Sequence, residues 1–103
     1  MASSKEYLNF ILDQLSGLDG ISHRAMMGEF ILYCNGKVVG GIYDDRLLLK
    51  PAPAAVKRMP HAKTELPYPG GAPMLMVEDV DDREFLQELF AAIAAELRGE
   101  QDE

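Results

Sequence analysis

The dipeptide Asn35-Gly36 constrains the fold more than any other feature, because it separates two β-rich runs, Glu29-Phe30-Ile31-Leu32-Tyr33-Cys34 and Lys37-Val38-Val39-Gly40-Gly41-Ile42-Tyr43. A two-residue type I′ turn needs positive φ at both central positions, and asparagine followed by glycine adopts that pair of angles at little cost. The two runs are therefore expected to form an antiparallel hairpin. Asp44-Asp45 offers a second tight reversal into Arg46-Leu47-Leu48-Leu49-Lys50, and His23 to Met27 reads as an earlier strand ahead of Gly28. Together these runs predict a meander over residues 22–50. Gly40-Gly41 inside one of its strands points to a bulge or a close backbone approach.

Helical signals flank the meander. Ser3-Ser4-Lys5-Glu6 fits a capping box opening a helix over about residues 4–16, in which Tyr7, Leu8, Ile11, Leu12 and Leu15 recur at helical spacing. Gly17 and Asp19-Gly20 end it. Pro51-Ala52-Pro53 stops the last meander strand and suits a short helix near 53–59, closed by Pro60. A short strand is expected near 64–68, at an edge because Pro67 cannot donate to a ladder, followed by a type II turn at Pro69-Gly70-Gly71 and a strand near 74–78. Asp81-Asp82-Arg83-Glu84 is an acid-rich helix entry, and Phe85, Leu86, Leu89, Phe90, Ile93 and Leu97 make one apolar stripe before Gly99 and a frayed acidic tail. The expected class is α+β: a mainly antiparallel sheet of about five or six strands bracketed by N- and C-terminal helices, with a short helix in the crossover, forming a single domain over residues 1–103.

Composition narrows the environment and the partners. The lone cysteine, Cys34, has no intrachain disulfide partner, and no signal-peptide pattern or membrane-length apolar run is present, so a cytoplasmic protein is expected. A net charge of −7 opposes non-specific nucleic-acid binding. The charge is uneven: Arg46, Lys50, Lys57, Arg58 and Lys63 fall in a stretch without acids, whereas acids dominate from Glu78 onward.

Chemical motifs are weak. His23, Cys34 and His61 lack any spacing that brings two of them to one metal. Asp79, Asp81 and Asp82 fail as a calcium loop, since its sixth and twelfth positions would be Glu84 and Phe90, so helix capping explains them better. Ser22 and His23 are adjacent, and adjacent strand residues point to opposite faces, which is no arrangement for a nucleophile and its base. No catalytic, cofactor-binding or metal-ligating residue is therefore assigned. Met26-Met27, Met74 and Met76 are candidates for an adaptable contact surface, and alternation would send Met26 and Met27 to opposite sheet faces.

The order of elements, together with Arg24-Ala25-Met26-Met27-Gly28-Glu29-Phe30, Gly36 through Lys50 and Val77 through Glu84, resembles the TfoX N-terminal domain family, related to the TfoX/Sxy regulators of bacterial competence. Regulators of that kind carry a further helical domain after this one. The resemblance implies a bacterial cytoplasmic domain of transcriptional control that acts through protein partners and not through catalysis. The expected function is a non-enzymatic interaction module, self-associating as a homodimer or holding another protein, with nucleic acid contacted only indirectly and no membrane involvement. Its candidate surface comprises Arg24, Met26, Met27, Phe30, Arg46, Lys50, Lys57 and Arg58. A domain binding a small anionic ligand through Arg24, Arg46 and Lys50 is the alternative, ahead of direct DNA binding or an uncharacterised enzyme.

Overall fold

The computed structural model of the chain describes residues 3–99. Elements follow in the order α1 (Lys5–Gln14), β1 (Ile21–Met26), β2 (Glu29–Cys34), β3 (Lys37–Ile42), β4 (Leu47–Leu49), α2 (Pro53–Arg58), β5 (Thr64–Glu65), β6 (Met74–Val77) and α3 (Arg83–Leu97). The strands form one six-stranded sheet in the order β1-β2-β3-β4-β6-β5, with every pair antiparallel. The α+β class, the meander and the bracketing helices are thus as the sequence predicts. The acidic tail expected after Gly99 lies outside the described residues.

Local chemistry accounts for the turns. Asn35 and Gly36 take φ of +52° and +82°, the pair a type I′ hairpin requires. Asp44 and Asp45, both at φ +55°, make the next reversal. Gly70 at φ +87°, with the Gly71 amide donating to the Tyr68 carbonyl at 2.9 Å, completes the expected turn after Pro69.

Four details differ from the sequence reading. Met27 is not a strand residue: with Gly28 it forms another two-residue turn, at φ +54° and +84°, because the pairing of Met26 with Glu29 leaves only those two residues to reverse the chain. It consequently lies on neither sheet face. The cap of α1 is Ser4, whose Oγ accepts from the Tyr7 amide at 3.1 Å. Ser3 Oγ donates instead to Glu29 Oε1 at 2.6 Å, and the same oxygen accepts from the Asp45 amide, fastening the chain entry to the meander. The β5 strand is only two residues long, because Pro67 cannot extend the ladder.

The helices lie over one face of the sheet and share a core with Leu32, Val39, Ile42, Leu47, Leu49 and Val77. Side chains from α3 close the helix layer: Arg83 Nη1 donates to the Asp13 carbonyl at 2.8 Å and Gln87 Nε2 to the Ser16 carbonyl at 2.9 Å, supplying side-chain donors to carbonyls at the end of α1. Buried Gln14 donates to the Val80 carbonyl at 2.8 Å. Asp82 caps α3 through the Phe85 amide at 3.0 Å. Pro53 starts α2, and Glu96 of α3 accepts from the Ala54 amide at 3.0 Å where Ala52 has no side chain to do so. The double glycine marks both of the expected features. Registry shifts between Leu32 and Tyr33, leaving Val39 as an extra residue in β3, and Gly40 brings β3 against the Leu48 carbonyl of β4.

Candidate interaction surface

Alternation fixes what the other face of the sheet carries. Cross-strand partners share a face, so Arg24 sits beside Ile31, Ser22 beside Tyr33, Val38 beside Tyr33, and Leu48 beside Met76, all opposite the helix layer. No helix among the described residues covers this side. Ile31, Tyr43, Leu48 and Met74 form a small second core there, with Tyr33 and Met76 packed against it. Tyr68 leans on Tyr43 edge to face, with ring centroids 6.2 Å apart, and the loop following β5 covers only the β4–β6 end. Toward β1 the face is open: Met26 and Val38 are 48% and 41% exposed.

Tyr43, Pro51, Pro67, Tyr68 and Pro73 wall an apolar slot of about 480 Å³, with Lys50 on its rim. Burial raises the Tyr43 hydroxyl above the ordinary phenol range, helped by the neighbouring Tyr68, Glu29 and Tyr33. The slot thus presents an uncharged, hydrogen-bonding aromatic surface beside one ammonium. On the helix side, burial likewise pushes the Cys34 thiol up, which makes it a poor nucleophile and a core residue.

The candidate surface residues do not converge on one patch. Arg24 and Met26 lie on β1 at the open end of the helix-free face, and Met27 projects from the adjoining turn at 95% exposure. Phe30 faces the helix layer, half-buried, with its ring edge to face with that of His23. Arg46 is held in place: it pairs with Glu65 at 3.3 Å and donates to the Tyr43 and Leu66 carbonyls. Lys50 lines the tyrosine slot, while Lys57 and Arg58 occupy the last turn of α2, in the helix layer. The basic stretch is dispersed because it crosses from β4 into the helix layer and back to β5. Sequence reasoning missed Tyr33, Val38, Leu66 and Tyr68. A signal existed, since the consecutive apolar residues of β2 and β4 require both faces of the central sheet to bury apolar surface.

Arg58, His61, Glu78 and Asp79 line a separate hollow of about 280 Å³ between α2 and β6. Among the described residues no group of three or more histidine, cysteine, aspartate or glutamate side chains can hold a metal ion. No helix among them is long and apolar enough to cross a membrane.

An antiparallel sheet with a helix layer on one side and a partly open apolar surface on the other defines a small α+β module. The chain belongs to the TfoX N-terminal domain family, whose profile matches residues 13–94, and membership points to a regulatory, competence-related domain. It is also similar to a protein of Spirochaeta aurantia described as an "uncharacterized 12.7 kDa protein in trpE 5'region", with 34% identity over 98 residues, 94% of this chain and 85% of the relative. No solved structure matches the chain.

Proposed function

We infer that this chain is a cytoplasmic, non-enzymatic regulatory module that works by protein contact, self-association included, and that the helix-free side of the sheet is the surface it offers to another protein. The observation that carries the reading is the exposure of Met26, Val38, Leu66 and Tyr68 around a small apolar core on that side, since solvent-facing apolar side chains gathered around a core are characteristic of contact surfaces. Family membership supports the regulatory part. Replacing Val38 by Glu and Tyr68 by Ala leaves every buried contact of the helix layer in place. Immobilised wild-type chain is expected to retain a protein from bacterial lysate that the double variant loses. Retention of nothing beyond blank resin by a strictly monomeric wild type, or equal retention by both chains, would contradict the reading.

Lys50 at the rim of the tyrosine slot favours a second reading, a small anionic ligand with an apolar body. Arg24 and Arg46 do not join it, because one lies at the β1 edge and the other is already bonded to Glu65.

A further inference from the structure

Strand β1 is an outer strand of the sheet, with β2 as its only neighbour among the described residues, and residues 22–26 are all exposed. The ladder phase says which of its backbone groups point away from β2. The Asn35 amide donates to the Gly20 carbonyl at 2.8 Å, and the two-residue turn at Met27-Gly28 sets the same phase at the far end, so Gly20, Ser22, Arg24 and Met26 face β2. Ile21, His23 and Ala25 therefore turn their N–H and C=O groups outward. Among the described residues no backbone hydrogen bond from a turn or loop reaches them.

Such an edge is an open template for another strand, and proteins ordinarily blunt it with proline, lysine, a bulge or shortness. The opposite edge is blunted in this way, since β5 has two residues and Pro67 follows closely. β1 is six residues long, pairs with β2 without a bulge and holds neither proline nor lysine, with Arg24 as its one fixed charge.

We propose that β1 is the contact between two copies of this chain, paired antiparallel about a twofold axis at His23 so that the two sheets become one. This rests on the protein-contact reading above and names its partner. Three observations favour a second copy as the occupant. The first is self-complementarity: with His23 opposite its symmetry mate, Ile21 of each copy exchanges hydrogen bonds with Ala25 of the other, and all three outward residues are used. The second is side-chain register, which sets Ser22 beside Arg24 across the axis, whereas centring the pair on Arg24 would oppose two guanidinium groups. The third is charge: Ile21 to Gly28 holds no acid in a chain of net charge −7, so this edge lets two acidic copies approach with little local repulsion.

Ala25→Pro tests the pairing with little effect on the fold. The Ala25 amide points outward, so proline removes a donor needed by the second copy and none used by β2. Light scattering and sedimentation of the wild type should show the mass rising with concentration from 11.4 kDa toward twice that value. Ala25→Pro should weaken this association at least about tenfold with an unchanged circular dichroism spectrum. His23→Lys, which opposes two ammonium groups across the axis, should weaken it similarly and decides the matter if the proline variant misfolds. A wild type that stays at 11.4 kDa throughout overturns the proposal, as does a dimer that survives both substitutions. Loss of retention on Val38→Glu with Tyr68→Ala can still be observed with a monomer, so the two ideas fail separately.

Discussion

Substituting Gly40 by alanine isolates how tightly β3 and β4 are packed. A methyl group there meets the Leu48 carbonyl oxygen at once, with Leu49 Cα 2.8 Å and Leu49 Cδ2 2.9 Å away. Two of these atoms are backbone, and β4 cannot step aside, because Leu48 and Leu49 are fully buried and pair on their other side with Met76 and Leu75 of β6. Relief must come from separating two strands in the centre of the sheet. Overpacking of a well-filled core costs about 1–3 kcal/mol, and the absence of a flexible neighbour puts Gly40→Ala near the top, at about 3 kcal/mol. For a domain of this size that lowers the melting temperature by roughly 12–24 °C. Gly36→Ala is the control: its φ is +82° but nothing lies within 4 Å, so only the left-handed backbone is penalised, by about 1 kcal/mol. Thermal melts followed by circular dichroism at neutral pH compare the two. A Gly40→Ala protein that melts within about 4 °C of wild type, or above the Gly36 variant, would refute this account of the strand packing.

The raised hydroxyl and thiol groups make stability fall on the alkaline side. Burial holds the protons of Cys34, Tyr7 and Tyr43 in the folded state, so the unfolded chain releases them first and the stabilisation is complete only below the unfolded values of 9.0 for the thiol and 10.0 for the phenols. The urea midpoint should be level up to about pH 9 and decline beyond it, with Cys34→Ala moving the onset toward the tyrosine range; a midpoint that rises between those values would reverse the assigned sign. Asp82→Ala removes the acceptor for the Phe85 amide at the start of α3 and should cost about 1 kcal/mol in chemical denaturation, whereas an unchanged midpoint would mean that the cap is not used in solution.

Much of the fold was legible because its signals are local. Asn35-Gly36, Asp44-Asp45, the serine and aspartate caps and the prolines around α2 each act within a few residues, and each marks the element boundary it was expected to mark. Met27 was not legible, since methionine carries no turn signal and its left-handed backbone is imposed by the registry of the strands beside it. Ser3 was misassigned for a similar reason: Glu29 and Asp45, which engage it, are distant in sequence.

The surface was less legible than the fold. Glu29 to Cys34 and Leu47 to Leu49 are apolar at nearly every position, and such runs do not say which face the helices will cover. The basic stretch from Arg46 to Lys63 looked continuous as sequence, yet consecutive residues enter different layers and Arg46 is bonded to Glu65. Tyr68 packs against Tyr43, twenty-five residues earlier in the chain.

Covalent footprinting of the chain, free and bound to the protein it retains from lysate, tests the central claim most directly. Met26, Val38, Leu66 and Tyr68 are accessible on the helix-free side, and Val56 is comparably exposed in the helix layer. Binding of that protein is expected to protect the first group while Val56 continues to label. Protection of Val56 with undiminished labelling of Val38 and Tyr68 would contradict the account and move the contact surface to the helices.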